Sequence, residues 1–334
     1  MIIELTEEYI PNQIIHREKQ VKEISSIFTN FKKTGMGTNL AILGVTGAGK
    51  TVIIKKVIEE QGQSIYINCN ETKTPFKTLS KICLKKVKTQ SDVLEQTIKS
   101  LRDNPRIIIL DEIDKIKNLF ALANDLNTIY RKTMIPIIII SFKRNIVESL
   151  PSDVRKTLFF HKLNLPSYNA IELKDILESR IKLVELELLD KLDDGRRNFI
   201  CAIASKQGSA RVLMNILVRC IQSNNFTQKH IEYLYEEMNK KDWRGFVEDI
   251  NETEKKFLEI LTRNSNCEKS IDFQFLQNKM GLSAGRISQL ISIFERYDVI
   301  ISHTENLGRG GGRKRIIRFK SKETYNEIMD AIPY

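Results

Sequence analysis

Between residues 40 and 141 the chain carries four short apolar runs. They are Leu40-Ala41-Ile42-Leu43, Ser64-Ile65-Tyr66-Ile67-Asn68-Cys69, Arg106-Ile107-Ile108-Ile109-Leu110, and Ile135 to Ile140, the last ended by Ser141. Each is too short for a stable helix and apolar at nearly consecutive positions, so each predicts a strand buried on both faces. The segments between them space their apolar residues at the helical period. Val21, Ile24, Phe28 and Phe31 share one face of a helix that follows an extended strip around Pro11. The same pattern predicts helices over 52–59, 76–88, 92–101 and 119–131. Strands alternating with helices give a parallel sheet covered on both sides, an α/β domain over residues 1–165.

From Pro166 the strand signal disappears, and segments 168–187, 196–206, 209–222 and 227–239 read as a small helical domain over 166–244. The pattern changes again over 245–334. Helices are predicted at 254–263 and 273–280, then a turn at Gly281-Leu282-Ser283, then a third helix with Ile287, Leu290, Ile291 and Phe294 on one face. Two short strands, 299–302 and 316–320, flank Leu307-Gly308-Arg309-Gly310-Gly311-Gly312-Arg313-Lys314-Arg315. Three helices followed by a hairpin with a basic, glycine-rich tip describe a winged helix-turn-helix module.

Two of the apolar runs deliver chemistry at their ends. The first leads into Gly44-Val45-Thr46-Gly47-Ala48-Gly49-Lys50-Thr51, a complete G-x-x-x-x-G-K-[ST] phosphate loop between a strand and a helix that begins near Val52. Its glycines let successive backbone amides and the positive end of the helix face an anion. Lys50 would reach the β- and γ-phosphates and the Thr51 hydroxyl would ligate Mg²⁺. The third run delivers Asp111-Glu112-Ile113-Asp114 at the edge where α/β sheets bind ligands. There Asp111 can hold the metal while Glu112 polarises an attacking water. Together the two motifs point to Mg-ATP.

Other positions leave alternatives open. Ile10, Pro11 and Ile15 either wall a nucleotide base or pack ordinarily, and composition favours packing. Arg211 sits in the first turn of a helix that Ser209 can cap, where a cation opposes the helix dipole; either an anion faces it across a cleft or it is one of many solvated helix-start arginines. The hairpin run is either a solvated charge cluster or a clamp on phosphates, with Arg286, Gln289 and Ser288 of the third helix facing the major groove.

The 334 residues suffice for two or three domains, and a formal charge of +11 favours an acidic partner such as nucleic acid. The charge is local: Arg309, Arg313, Lys314, Arg315, Arg318, Lys320 and Lys322 meet no acid between Asn306 and Lys322. Five scattered cysteines with no C-x-x-C pair argue for reduced thiols in a cytosolic protein, without a zinc site or disulfide framework. No signal peptide is evident, and no apolar run approaches the 18 residues of a membrane span.

With these parts in view the chain resembles the archaeal initiator family of AAA+ ATPases, relatives of the eukaryotic origin recognition complex large subunit and its cell-division-control homologue. The resemblance rests on the Tyr9-Ile10-Pro11 opening with His16-Arg17-Glu18, the phosphate loop, Tyr66-Ile67-Asn68-Cys69, Leu110-Asp111-Glu112-Ile113-Asp114, Gly208-Ser209-Ala210-Arg211 and the terminal wing. It implies a P-loop NTPase base, a helical lid and a winged helix that binds duplex origin DNA, with ATP or ADP and Mg²⁺ as cofactors. It implies adenine contact from the opening strip, with Tyr168, Ile176, Leu177 and Arg180 approaching from the lid. Arg211, as the Gly-x-Ala-Arg arginine, should touch the γ-phosphate. It further implies a replicative helicase and other initiator copies as partners, in the cytoplasm at the nucleoid. Two departures stand out. Where relatives usually read Ile-Ser-Asn, this chain reads Ile140-Ser141-Phe142, so Ser141 or Asn145 would have to orient the lytic water and turnover is expected to be slow. The trans-acting arginine has no clean match, and Arg155 is the candidate. The rivals from the sequence are a nucleotide-switched DNA-binding regulator and a signalling NTPase whose winged helix binds protein.

Overall fold

The computed structural model describes residues 3–6, 8–83, 90–184, 192–240, 243–306 and 313–332. The chain divides into two compact units, one up to residue 238 and one from 239 onward.

The first unit begins with a 3-10 turn, Ile3–Leu5, and an irregular strip that leads into α1 (Glu18–Thr34). Strands β1 (Leu40–Leu43), β2 (Ser64–Asn68), β3 (Ile107–Asp111), β4 (Ile137–Ser141) and β5 (His161–Asn164) form a parallel sheet in the order β2-β3-β4-β1-β5. Between them run α2 (Lys50–Gln61), α3 (Cys69–Thr72), α4 (Pro75–Cys83), α5 (Gln90–Asp103), α6 (Leu119–Thr133) and α7 (Ser152–Leu158). All residues of β1, β3 and β4 are buried. That burial explains their unbroken apolar character, since helices cover both faces. Ile24, Phe28 and Phe31 of α1 are buried in the same core. β5 was not legible: as an edge strand it turns only Leu163 inward and exposes His161, Lys162 and Asn164, which leaves no apolar run to detect. The first predicted helix after the phosphate loop starts earlier, at Lys50, and Cys69 opens α3 instead of ending β2.

A second core follows on α8 (Ala170–Ile181), α9 (Asp194–Ser205), α10 (Ala210–Ser223) and α11 (Gln228–Asn239). The helix expected over 168–187 ends at Ile181, and its last expected residues lie outside the described ones. Asn169 starts it with a reciprocal capping box to Glu172.

In the second unit, α12 (Trp243–Asp249) and α13 (Glu252–Asn264) precede β6 (Ile271–Asp272), α14 (Phe273–Met280), α15 (Ala284–Arg296), β7 (Ile300–Asn306), β8 (Arg313–Phe319) and α16 (Lys322–Ala331). The three strands form an antiparallel sheet in the order β6-β8-β7, with Ser302 opposite Ile317 and Asn306 opposite Arg313. Ile287, Leu290, Ile291 and Phe294 of α15 are buried, and the Phe294 ring stacks on Phe257 at 5.1 Å. Sequence patterning missed α12, β6 and α16. Two residues make too short a strand to show a period, and α16 buries Ile328 beneath a mostly polar surface.

Candidate functional site

The carboxyl ends of β1, β3 and β4 open into a cleft of about 360 Å³ between the sheet and the helices of the second core. Two glycines set the shape of the loop after β1. Gly47 and Gly49 are both left-handed (φ 81° and 93°), and Gly49 caps α2, so the amides of the loop turn toward the cleft. The outer side of the loop has no spare room. A Cβ on Gly47 would lie 1.9 Å from Ser209 Oγ, and one on Gly49 would lie 2.9 Å from the Tyr168 hydroxyl. The Ala210 amide also donates to Gly47 O at 3.2 Å.

Lys50 folds back and donates to Gly44 O (2.7 Å) and Val45 O (2.8 Å). Burial holds its pKa below the ordinary lysine value, opposed chiefly by the negative charges of Asp111 and Asp114. Asp111 is gripped by three donors: the Thr51 hydroxyl (2.7 Å) and Tyr66 hydroxyl (2.8 Å) on Oδ2, and the Glu112 amide (2.9 Å) on Oδ1. Burial, then the neighbouring Asp111 carboxylate, raises the Tyr66 phenol pKa. Burial likewise pushes the Cys69 thiol up to about 12, which keeps it an unreactive thiol. Glu112 follows in left-handed backbone (φ 54°), a conformation that costs energy in a non-glycine residue and turns the chain sharply at the cleft floor.

Of the residues expected from the sequence, Ile10, Thr46, Gly47, Gly49, Lys50, Thr51, Val52, Asp111, Glu112, Ser141, Ile176, Arg180 and Arg211 line this cleft. Pro11, Ile15, Val45, Ala48 and Tyr168 are not in its lining. Arg180 is buried and donates to the carbonyls of Glu4 (2.9 Å) and Tyr9 (3.3 Å), with its guanidinium 4.6 Å from the Tyr9 ring centroid. It ties α8 to the opening strip. Ser141 donates to Asp114 Oδ1 at 2.7 Å and accepts from the Lys143 amide, so its hydroxyl hydrogen is committed. Phe142 is half exposed at the cleft, with Lys115 and Lys143 near its ring. Asn145 and Arg155 are exposed, and Asn145 is outside the cleft lining.

Sequence reasoning gave no role to Arg17. The residue is 2 % exposed, and its guanidinium lies 3.9 Å from the Tyr168 ring centroid and donates to Pro166 O (2.7 Å), His16 O (2.9 Å) and Ala48 O (3.4 Å). A cation at the start of a helix looks solvated in a sequence, and only the packing reveals it as a clasp between the loop after β1 and the segment that leads into α8.

Asp111 and the Thr51 hydroxyl offer the hard oxygen donors that Mg²⁺ takes, and among the described residues no cluster of three or more His, Cys, Asp or Glu could hold a metal ion. A metal here would need phosphate oxygens and water to complete its shell, as Mg²⁺ commonly does.

In the second unit, Arg286 and Gln289 project from α15 away from its buried face, Arg286 Nη1 donating to Gln289 Oε1 at 3.1 Å. Ser288 and Gln289 line a shallow hollow on the same helix. Several hairpin cations have protein partners. Lys314 pairs with Asp272 (3.0 Å), Arg315 with Ser302 and Glu295, Arg318 with Cys267 O, and Lys320 with Asp298. Arg313 opens β8, and Arg309 lies outside the described residues.

A parallel sheet with a phosphate loop and an acidic strand end side by side defines a P-loop nucleotide-binding protein of the AAA+ class, and the AAA domain family matches residues 35–150. Over nearly its whole length the chain is homologous to archaeal ORC1-type DNA replication proteins. It is 25% identical to the ORC1-type DNA replication protein of Thermoplasma volcanium over 97% of this chain and 90% of that one. It is 26% identical to ORC1-type DNA replication protein 1 of Archaeoglobus fulgidus over 96% and 87%. The fold matches that of the Aeropyrum pernix ORC1 protein, solved in complex with DNA, with a TM-score of 0.78 at 20% identity over 99% of this chain and 95% of that one. No helix among the described residues is long and apolar enough to cross a membrane.

Proposed function

We propose that the chain is an ATP-dependent, origin-binding replication initiator. Its base (1–165) and helical lid (166–244) enclose Mg-ATP or ADP, and its carboxyl-terminal domain (245–334) is a winged helix that grips duplex DNA. What carries this reading is the convergence of Lys50, Thr51, Asp111, Glu112 and Arg211 on one cleft, in a chain homologous throughout to ORC1-type replication proteins. The loop amides and Lys50 take the phosphates, Arg211 meets the γ-phosphate from the lid, and Glu112 accepts a proton from water. Thr51 and Asp111 would hold a metal, which when bound would neutralise charge on the phosphates. The DNA-bound state then recruits other initiator copies and a replicative helicase. Footprinting across the cognate replicon, with and without ATP, tests the reading. Protected origin repeats support it, and absence of protection anywhere would sink it.

A second reading, a DNA-binding regulator that uses nucleotide as a switch without turnover, is favoured by Phe142, which has no group to orient water. Protection confined to promoters would select it. Single-turnover hydrolysis is expected to be slow, and Phe142→Asn to accelerate it by restoring a water-orienting amide. An unchanged rate with ATP still bound would show that another residue already does this work.

Tyr66→Phe removes one of the three donors that orient Asp111. Loss of a group that orients a metal ligand typically weakens metal affinity by about 10–100-fold. The Mg²⁺ concentration for half-maximal binding of a fluorescent ATP analogue should therefore rise by that factor, with metal-free nucleotide affinity unchanged.

For DNA, Arg286→Ala is expected to lower discrimination between specific and random duplexes by roughly 1–3 kcal/mol. Alanine at Arg309 and Arg313 should weaken binding to both duplexes and reduce the salt slope by about one unit for each phosphate no longer neutralised. Titration at several salt concentrations separates the two effects. Lys314 and Arg315 should contribute less, because reaching a phosphate would cost them their present ion pairs.

A further inference from the structure

Three helices of the α/β layer end alike. α1 closes on Lys32-Lys33-Thr34, α6 on Arg131-Lys132-Thr133, and α7 passes through Arg155-Lys156-Thr157 before its last residue. Within two residues of each helix end stands a large exposed apolar side chain: Met36, Met134 or Phe159, 57%, 45% and 79% exposed. The three connections lead into β1, β4 and β5, which are neighbours in the sheet. They therefore meet at its amino-terminal edge, opposite the edge that carries the cleft. Contacts across this edge agree. A Cβ on Gly37 would lie 2.6 Å from Pro136 Cγ, the Asn39 side chain donates to Leu158 O and accepts from the Ile137 amide, and Arg131 donates to Thr157 Oγ1 at 3.0 Å.

Cations in the last turn suit the negative end of a helix, and folding alone accounts for them. Folding does not account for the apolar residues. The position that ends a helix in left-handed backbone ordinarily holds glycine, as Gly35 does after α1. After α6 and α7 the same position is Met134 (φ 56°) and Phe159 (φ 38°). These bulky residues bear backbone strain while facing water, and strain without a packing return points to a surface kept for binding.

We propose that this edge is a docking surface for an acidic segment of a partner protein, one that also carries apolar side chains. Met36, Met134 and Phe159 are the anchors. The surrounding lysines and arginines, with no acid in the three Lys/Arg-Lys-Thr ends, select the negative partner. A nucleic acid would use the cations and leave the apolar side chains without a role, so a peptide fits better.

The test is fluorescence anisotropy on the full chain at physiological salt with three labelled probes. The first is a glutamate-rich peptide with Leu and Phe at i, i+3, i+4 and i+7, the second has Ser in place of Leu and Phe at equal charge, and the third is a duplex oligonucleotide. The double variant Met134→Gly, Phe159→Gly leaves every charge in place. It should bind the first peptide about tenfold more weakly than wild type, the loss expected for anchor residues, with duplex affinity essentially unchanged and the melting temperature no lower, since glycine relieves the left-handed backbone at both positions. A second variant, Lys132→Glu with Lys156→Glu, should weaken the same peptide and serves if the glycine variant folds poorly. Failure of wild type to bind the first peptide, or equal affinity for it in wild type and the folded variants, overturns the proposal. So does preference for neither peptide, or a loss of duplex binding alone, which would assign the edge to nucleic acid.

Discussion

Lys50→Ala is expected to abolish measurable ATP binding, while Glu112→Gln should bind ATP like wild type and lose whatever hydrolysis the wild type has. Lys50 donates to two loop carbonyls, and burial disfavours its charge. A phosphate chain supplies the counter-charge that the site otherwise draws from Asp111 and Asp114. Removing the ammonium forfeits two or more charge-assisted hydrogen bonds at about 1.5–3 kcal/mol each, or roughly 10²–10⁴-fold in affinity. Glutamine at position 112 keeps size and polarity but cannot take a proton at neutral pH. Calorimetric titration with ATP reads the first effect and single-turnover assay the second. Equal ATP affinity in wild type and Lys50→Ala would remove the loop from the mechanism.

Gly47→Ala should be nearly as damaging, for a steric reason. The new methyl would stand 1.9 Å from Ser209 Oγ and 2.8 Å from its Cβ, on backbone already left-handed. Ser209 caps α10 through the Val212 amide and cannot retreat without disturbing that helix start. Left-handed backbone costs an alanine about 1–2 kcal/mol, and forced displacement in a packed region adds about 1–3 kcal/mol. Gly35→Ala is the control, since Gly35 is also left-handed but has nothing within 4 Å of its Cβ position. Urea unfolding should show a loss of about 2–5 kcal/mol for Gly47→Ala and only the backbone part for Gly35→Ala. Matching losses would mean that the contact between Gly47 and Ser209 carries no energy.

Leu40 to Thr51 and Arg106 to Asp114 were legible in the sequence because a buried strand must be apolar throughout and a phosphate loop must place glycine, lysine and threonine at fixed spacing. Arg211 was legible as a candidate because a cation at a capped helix start runs against the dipole. What stayed hidden depends on contacts between distant segments. Nothing in Tyr66 announces that its hydroxyl reaches Asp111, forty-five positions away, and Ser141 reads as a hydroxyl at liberty until its bond to Asp114 is seen. The hairpin shows the same limit for charge. Counting Lys314, Arg315, Arg318 and Lys320 overstates the cations open to an outside partner, because counting cannot see Asp272, Glu295, the Cys267 carbonyl or Asp298 beside them.

The buried guanidinium of Arg17 bears on how the first unit comes apart. It joins the opening strip through His16, the phosphate loop through Ala48 and the segment before α8 through Pro166 and Tyr168. None of these segments can open by itself without stranding a charge away from water, and that penalty binds them into one cooperative unit. Amide hydrogen exchange in the native state should therefore show them opening at a common free energy, with protection in all three rising together when nucleotide occupies the loop.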